Sequence, residues 1–366
     1  MNNDAKNTKA LIAMSGGVDS SVCAALMSKD GYDCIGVTMK LHSESADEQA
    51  EKTCCTANDA EDARSVCFKL GIKHYVFNLS GDFDREVIKR FIEAYETGFT
   101  PNPCIDCNRY IKFERLYQRA KELGCEVIAT GHYARTEYDE QSGRWLLKKS
   151  RNTVKDQSYV LYAMTQEQLA HTRFPLGEFE SKGEIRHIAE QMELINARKK
   201  DSQDICFVPN GDYSGFIRRY TGKDYPEGDF IGENGEVFGR HKGIICYTTG
   251  QRKGLGLSFA QPMYVCAKNP EKNTVTLAPE SALYSSVLFA RDFNWISLEQ
   301  PPKEPLRVYA ATRYHAKEAP AYALALPDGA VKITFDEPQR ALSAGQAVVL
   351  YDGDIVVGGG TIFSKE

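Results

Sequence analysis

The stretch Lys9-Ala-Leu-Ile-Ala-Met-Ser-Gly-Gly-Val-Asp-Ser20 determines the fold on which the rest of the chain builds. Its apolar residues Leu11 to Met14 predict a short buried strand, and Asp19 with the serines beside it predicts a helix start. Gly16 and Gly17 allow the backbone to approach a ligand closely. Because helix amides point out of such a turn, it is typical of a phosphate site, although a connection that binds nothing is the alternative. No Gly-Lys-Ser/Thr sequence ends the turn, which excludes a Walker A loop.

The composition is that of a globular protein with two or three domains. The chain has 366 residues, of which 42% are hydrophobic and 26% are charged, as in ordinary folded proteins. Its net charge of −5 argues against a broadly basic nucleic-acid surface, although a local basic stripe can still contact RNA. Without a signal core or a spanning segment, we expect a cytoplasmic protein with no membrane partner. We also expect its eleven cysteines to be mostly buried thiols.

Apolar strands alternate with amphipathic helices from Lys9 to about Asp201. This pattern predicts an α/β fold with a doubly wound, mostly parallel sheet that binds ligands at the carboxyl ends of its strands. After the strand at the N-terminus, the predicted strands are residues 34–39, 74–79 and 126–130, and the predicted helices are 19–29, 58–70, 83–96 and 111–123. Shorter strands and more glycine follow, which indicates a small central module and a C-terminal antiparallel β-barrel. The expected domains are therefore residues 1–208, 209–273 and 274–366.

Three cysteines occupy positions that favour chemistry. Cys104 and Cys107 belong to Thr100-Pro-Asn-Pro-Cys-Ile-Asp-Cys-Asn-Arg109, a proline-braced loop between predicted helices, and Cys206 follows the basic run Arg198-Lys-Lys200. Neighbouring positive charge and a helix start favour a thiolate. For the first two, the residues alone leave open a redox pair, half of a zinc site or buried thiols. For Cys206 they leave open a half-buried core cysteine.

Six motifs occur together and in order along the chain. They are Ser15-Gly-Gly-Val-Asp-Ser20, Pro101-Asn-Pro-x-x-x-Cys-Asn108, Ala129-Thr-Gly-His-Tyr-Ala134, Lys155-Asp-Gln157, Ser202-Gln-Asp-Ile-Cys-Phe207 and Thr249-Gly-Gln-Arg-Lys-Gly-Leu-Gly256. The first motif resembles the PP-loop of the ATP pyrophosphatases, which cleave ATP between the α and β phosphates. Together the six motifs resemble the tRNA-specific 2-thiouridylases over nearly the whole chain.

The resemblance implies 2-thiolation of the wobble uridine in tRNAs for lysine, glutamate and glutamine. ATP with Mg²⁺ would adenylate the C2 oxygen, so that AMP leaves when sulfur attacks. The resemblance implies that Cys206 holds a persulfide from a donor protein, either a cysteine desulfurase or a persulfide relay protein. Cys107 would be the nucleophile that acts on this persulfide. A disulfide between Cys107 and Cys206 would remain and be reduced before the next cycle.

The resemblance also implies the binding residues. Those for ATP are Ala13, Met14, Ser15, Gly16, Gly17, Val18, Asp19, Ser20, Met39 and Gly131. Those for tRNA and its target base are Asn102, Pro103, Cys104, Lys155, Asp156, Gln157, Arg313 and Tyr314. The basic stretch that suits phosphate contacts comprises Arg144, Lys148, Lys149, Arg151 and Lys155. Tyr314 is suited to stack on an unpaired base.

One departure from the family pattern concerns Cys104, because many members have aspartate there. The replacement makes a three-thiolate set of Cys104, Cys107 and Cys206, which could hold a four-iron four-sulfur cluster with one open iron. This cluster route to sulfur stays open beside the persulfide route. Another PP-loop enzyme that modifies tRNA or forms amides is a second alternative, and a sulfur-carrying or RNA-binding module with a regulatory ATP site is a third. None of these interpretations explains Cys54 and Cys55.

Overall fold

The structure is a computed structural model that describes residues 8–42, 57–199, 205–208 and 211–366. Within it the chain forms two compact units. The first comprises Met1–Val87, Cys104–Asn210 and Asp354–Val356, and the second comprises Ile88–Pro103, Gly211–Gly353 and Val357–Glu366. Cys54 and Cys55 lie outside the described residues.

A parallel sheet forms the centre of the first unit. The strands of this unit are β1 (Lys9–Ala13), β2 (Asp33–Lys40), β3 (Lys73–Asn78), β4 (Val127–Ala129), β5 (Ala134–Asp139), β6 (Arg144–Lys149) and β7 (Thr172–Arg173). Five of them pair in parallel in the order β3-β2-β1-β4-β7, while β5 and β6 form an antiparallel hairpin. Because β2 and β4 both run parallel to β1, the loops after β1, β2 and β4 share the carboxyl edge that the sequence predicts as the ligand edge.

The helices are α1 (Val18–Lys29), α2 (Ala57–Lys69), α3 (Ser80–Phe83), α4 (Lys89–Glu96), α5 (Pro103–Asp106), α6 (Leu116–Glu122), α7 (Gln166–Ala170), α8 (Lys182–Gln191) and α9 (Tyr213–Thr221). Of these, α4 and α9 belong to the second unit. Val22 of α1 and Ile185 of α8 share one apolar core with Ile12 of β1. None of the described helices is long and apolar enough to cross a membrane.

Two predicted helices are interrupted by wider turns. The helix predicted over 83–96 contains a π-helical segment at Asp84–Ile88, and the first five residues of the one predicted over 111–123 belong to another, at Cys107–Arg115. Such segments accommodate an extra residue per turn and are frequent at functional sites. Apolar spacing does not distinguish them from ordinary helix. Cys104 lies in α5 and Cys107 is the first residue of a π-helical segment, so the prediction of a loop is wrong for both.

The second unit contains a small sheet and a closed barrel. The small sheet has the order β10-β11-β8-β9, with β8 (Gly228–Ile231), β9 (Val237–His241), β10 (Met263–Asn269) and β11 (Thr274–Pro279). The barrel comprises β12 (Tyr284–Trp295), β13 (Leu306–Ala311), β14 (Ala319–Ala325), β15 (Val331–Arg340), β16 (Ala347–Asp352) and β17 (Ile355–Lys365). Pairing between β12 and β17 closes it. The predicted fold class is thereby confirmed.

Candidate active site

The turn after β1 is closed by its own serines. The backbone amide and Oγ of Ser15 both donate to Ser20 Oγ at 3.2 Å, and Ser20 Oγ donates to the Gly17 carbonyl at 3.0 Å. Gly17 is the N-cap of α1, so the helix begins at Val18, one residue before the predicted start at Asp19. The first amides of α1 thus lie at a turn whose side chains hold its shape, as an anion site requires.

Residues far along the chain brace this turn. Gly16 has φ +71°, and a Cβ there would lie 2.3 Å from the Asp59 carbonyl oxygen, so the position requires glycine. Asn196 Nδ2 donates to the Gly16 carbonyl at 3.0 Å and to Ser21 Oγ at 2.8 Å. Lys199 Nζ donates to the same carbonyl at 3.2 Å and to Asp59 at 2.6 Å. The turn therefore keeps its conformation through contacts on more than one side.

Gly131 and Met39 lie where the predicted ligand edge requires them. A Cβ on Gly131 would come within 2.8 Å of the Asp19 carbonyl carbon and of the Ser20 nitrogen. The loop after β4 therefore touches the first turn of α1. Met39 is buried on β2 beside β1, with 7% of its surface exposed. Their predicted role in ATP binding stays a prediction.

Asp19 is held by two side chains that the motifs did not single out for this role. Tyr133 donates its hydroxyl to Asp19 Oδ1 at 2.7 Å, and Lys182 Nζ lies 2.5 Å from the same oxygen. Gln157 fixes the backbone of Tyr133. Its backbone amide donates to the Tyr133 carbonyl at 2.8 Å, and its side-chain Oε1 accepts from the Tyr133 backbone amide at 3.0 Å. A chain of contacts thus links Gln157 to the phosphate turn.

Burial separates the cysteines into two groups. Cys23, Cys34, Cys67 and Cys125 are buried, so the expectation of mostly buried thiols is right for four of the nine described cysteines. Burial raises the pKa of Cys34 and Cys67 to about 12, which keeps them protonated and unreactive. Cys104 is exposed, whereas Cys107 and Cys206 are half-buried. Within the described part of the chain, these last three form no disulfide.

The segments that carry Cys107 and Cys206 are anchored through the next residue. Asn108, which is 4% exposed, donates from Nδ2 to the Val160 carbonyl at 3.2 Å. Phe207 is 5% exposed, and its ring meets Phe83 edge to face with 5.7 Å between centroids. Each cysteine therefore lies at the surface of the first unit beside a residue fixed in its interior.

The predicted cluster site does not fit the structure. Across the residues that the structure describes, no group of three histidine, cysteine or acidic side chains could hold a metal ion. Cys104, Cys107 and Cys206 all belong to that described set. We therefore derive no chemical step from an iron-sulfur cluster.

His132 lies in the third motif but was not among the predicted site residues. Its Nδ1 contacts Thr130 Oγ1 at 2.7 Å, and its Nε2 lies 3.4 Å from Lys112 Nζ. Because an ammonium only donates, Nε2 accepts and Nδ1 carries the proton. Burial and the neighbouring Lys112 charge both hold the pKa of His132 well below its usual range. The ring is therefore neutral and links the Cys107 segment to the loop after β4.

The predicted tRNA triplet, Lys155 to Gln157, is half-buried throughout. Asp156 accepts from the Ser150 amide at 2.8 Å and from Ser158 Oγ at 2.6 Å, and burial raises its pKa. Together with the contacts of Gln157 described above, these bonds fix the chain on either side of the triplet. Any direct contact of Asp156 with tRNA would compete with them.

Part of the basic stretch is already neutralised by acidic partners. Lys148 on β6 lies 3.0 Å from Glu137 and 3.5 Å from Asp354, and Arg151 lies 2.8 Å from Glu178. The pattern of charges suggested one phosphate-binding surface, but the unpredicted hairpin β5–β6 places Lys148 opposite acidic residues. For Lys148 and Arg151 these ion pairs weaken the prediction of phosphate contacts.

In the second unit, the segment before Cys104 is braced on both sides. Lys268 Nζ donates to the carbonyls of Phe99, at 3.4 Å, and Tyr247, at 2.9 Å. Gln346 Nε2 donates to the carbonyls of Thr100, at 2.8 Å, and Pro101, at 3.3 Å. Residues of the small sheet and of the barrel region thus hold the chain immediately before Asn102 and Pro103.

Arg313 and Tyr314 are partly engaged within the barrel. Arg313 donates to the backbone carbonyls of Ala341 and Arg340, and a Cβ on Gly250 would lie 4.0 Å from its Nη2. The Tyr314 ring packs on His315 with 3.9 Å between centroids. The arginine therefore lies beside the loop of the sixth motif.

Comparisons with known proteins agree with this architecture. Family models match residues 8–210 (tRNA methyl transferase HUP domain), 214–279 (tRNA methyl transferase PRC-barrel domain) and 285–362 (aminomethyltransferase beta-barrel domain). The tRNA-specific 2-thiouridylase MnmA of Clostridioides difficile (strain 630) is 50% identical over 97% of this chain and 98% of its own length. The chain belongs to the tRNA-specific 2-thiouridylase family. A second member, from Acetivibrio thermocellus, is 49% identical over 97% of this chain and 99% of its own length.

The contacts that Lys182, Asn196 and Lys199 make with the phosphate turn could not be predicted from the sequence around them. Ser181 and Glu184 form a capping box that the sequence could have revealed as the start of α8. That box predicts a helix but not that Lys182, its first residue, reaches Asp19. The same holds for Asn196 and Lys199, whose contacts with the phosphate turn depend on how the chain folds back.

Proposed function

We propose that the protein is an ATP-dependent tRNA 2-thiouridylase that acts on the wobble uridine of tRNAs for lysine, glutamate and glutamine. The observation that carries this proposal is the combination, in one unit, of a braced phosphate turn and two half-buried cysteines beside anchored residues. Methyl transfer, which the description of the family model names, would need neither ATP nor these two thiols. Family membership over almost the full length supports thiolation instead.

In the first step, the turn Ser15–Ser20 holds the triphosphate while the uridine C2 oxygen attacks the α-phosphorus. The bond between the α and β phosphates breaks, and its electron pair leaves on pyrophosphate. Asp19 fits a magnesium ion, because Mg²⁺ is usually bound by one or two carboxylates together with substrate phosphates, whose charge it neutralises. Gly17 and the first amides of α1 stabilise the negative charge of the phosphates.

In the second step, sulfur replaces the adenylated oxygen. The terminal sulfur of a Cys206 persulfide attacks C2 and AMP leaves, which gives a disulfide between the base and Cys206. The Cys107 thiolate then attacks Cys206 Sγ, so that the bond to the transferred sulfur breaks and 2-thiouridine is released. The product disulfide between Cys107 and Cys206 takes two electrons from an external dithiol before the next cycle.

The partners and the domain roles follow from this chemistry. A persulfide-bearing donor protein, either a cysteine desulfurase or a relay protein, loads Cys206. We assign the phosphate turn and both cysteines to residues 1–208, and tRNA contacts to the module of residues 209–273 and to the barrel of residues 274–366. Arg313 beside Gly250 supports the last assignment, as does the exposure of Arg252 and Lys253 in the same loop.

The test is a complete reaction that contains ATP, a persulfide donor and a tRNA with uridine at the wobble position. We expect one AMP, one pyrophosphate and one 2-thiouridine for each turnover. Production of ADP, or formation of a methylated base from a methyl donor, would contradict the proposal. Anaerobic purification with iron and sulfide analysis separates the two sulfur routes, because the persulfide route requires full activity from iron-free protein.

A further inference from the structure

The phosphate turn has no lysine of its own, but the fold brings one to it. Lys182 is the first residue of α8, and its Nζ lies 2.5 Å from Asp19 Oδ1 in the first turn of α1. The side chains are 15% and 30% exposed respectively, so both are shielded but still open to solvent. Nζ also lies 5.8 Å from the centroid of the Tyr133 ring. This lysine therefore lies at the edge of the turn where a triphosphate would lie.

The start of α8 fixes the base of this side chain. Ser181 Oγ accepts from the Glu184 amide at 3.3 Å, while Glu184 Oε1 accepts from the Ser181 amide at 2.9 Å. Ile185, in the next turn, is completely buried in the core that α1 and α8 share. Because the backbone is held so close to α1, movement of Lys182 is confined to its own flexible stem.

Lys199, a second lysine near the turn, differs from Lys182 in the number of acceptors around its ammonium group. Lys199 Nζ has acceptors in the Gly16 carbonyl, Asp59 and Asp62, at 3.2, 2.6 and 2.6 Å. Three acceptors match the three donors of an ammonium group, so Lys199 is committed to bracing the turn. The carboxylate oxygen that Lys182 contacts is shared, because Tyr133 donates to it as well. Asp19 therefore keeps a hydrogen-bond donor if Lys182 turns away.

We propose that Lys182 is a phosphate-binding residue that exchanges Asp19 for the triphosphate when ATP binds. This inference rests on the proposed use of ATP. Lys182 then stabilises the charge that develops on the pyrophosphate as the bond between the α and β phosphates breaks. No proton is transferred, because the ammonium acts as a fixed positive charge and hydrogen-bond donor. Tyr133 is the positioning residue that retains Asp19 during the exchange.

The test compares Lys182→Gln and Lys182→Arg with Lys69→Gln, a control that removes an exposed lysine paired with Glu193. Binding of inorganic pyrophosphate is measured by calorimetry, and pyrophosphate release in a single turnover with tRNA is measured by rapid quench. For Lys182→Gln we expect pyrophosphate affinity to fall roughly tenfold or more and pyrophosphate release to slow about a hundredfold. Lys182→Arg should recover part of both, and the control should match the wild type.

A double variant separates direct phosphate binding from simple neutralisation of Asp19. The titration is done without Mg²⁺, so that the proposed metal-binding role of Asp19 does not contribute. If Lys182 contacts the phosphates, Lys182→Gln with Asp19→Asn then keeps the loss of pyrophosphate affinity. Recovery of wild-type affinity in the double variant would overturn the proposal, as would wild-type pyrophosphate release by Lys182→Gln. Absence of pyrophosphate release from the wild-type enzyme would instead refute the proposed function. The pyrophosphate titration still tests Lys182 in that case.

Discussion

The phosphate turn and the two cysteine segments belong to the same unit but are held in different ways. Contacts from Asn196 and Lys199 bind the turn directly, and Gly16 meets the Asp59 backbone so closely that no side chain fits. The cysteines themselves remain half-buried, and their neighbours Asn108 and Phe207 supply the anchors. The nucleotide part is therefore fixed directly by side chains from distant parts of the chain, whereas the two thiols are half-buried beside neighbours that are fixed in the interior.

Removal of the Cys107 or the Cys206 thiol should have the largest effect. It should stop sulfur transfer without stopping the step at the phosphate turn. Cys107→Ser or Cys206→Ser is expected to lower 2-thiouridine formation by about a thousandfold or more, because each removes a bond-forming atom. Pyrophosphate release in the first turnover should persist, since the phosphate turn is unchanged. Mass spectrometry of the tRNA and a pyrophosphate assay measure the two steps.

Two other cysteines provide controls for that experiment. Cys246→Ser removes a half-buried thiol of the second unit and should leave both steps unchanged. Cys104→Ser should retain thiolation if sulfur travels as a persulfide. Loss of thiolation in Cys104→Ser as complete as in Cys107→Ser would contradict the persulfide route.

A methyl group at Gly16 should distort the phosphate turn and leave the cysteine segments unchanged. Gly16→Ala combines a positive φ with a Cβ 2.3 Å from the Asp59 carbonyl oxygen, so we expect ATP affinity to fall about tenfold to a hundredfold from roughly 1–3 kcal/mol of strain. Gly31→Ala is the matched control, because its φ is +95° but nothing lies within 4 Å of the added methyl group. Equal ATP affinities in the two variants would show that the turn is less rigid than proposed.

Lys268 allows a test of the brace that precedes the first cysteine segment. Burial lowers the pKa of Lys268 from 10.5 to about 8. Between these values the unfolded chain binds more protons than the folded chain, so the free energy of unfolding rises with pH. We expect this group to contribute roughly 2 kcal/mol to the rise between about pH 8 and pH 9.5. Urea unfolding should show the rise in the wild type, and an identical slope in Lys268→Met would disprove the assignment.

The smallest expected effect concerns the anchor beside Cys206. Phe207→Leu removes the edge-to-face contact with Phe83, which is worth about 1 kcal/mol. Sulfur transfer should therefore slow by up to about tenfold while ATP affinity stays constant. Phe68→Leu, at a residue 87% exposed, is the control for the same exchange. A matching loss of ATP affinity in Phe207→Leu would remove the distinction between the regions.

The same contrast explains what could be predicted from the sequence. Alternating apolar runs and glycine positions predict β1, β2 and the phosphate turn, because these are set by residues close together in the chain. The roles of Lys182 and Tyr133 depend on a chain reversal that no local pattern encodes. The segment at Cys107–Arg115 was predicted only in part, because a π-helical turn has nearly the same apolar spacing as an ordinary helix. The acidic partners of Lys148 are likewise not evident from its own segment, because Glu137 lies on β5 and Asp354 lies in the turn before β17.

The most direct test of adenylation at C2 follows the uridine oxygen. A tRNA anticodon stem-loop with ¹⁸O at C2 of the wobble uridine is incubated with the protein, ATP and a persulfide donor. Adenylation at C2 followed by attack of sulfur predicts one ¹⁸O in each AMP and none in pyrophosphate, in step with 2-thiouridine formation. Unlabelled AMP together with 2-thiouridine would contradict the account.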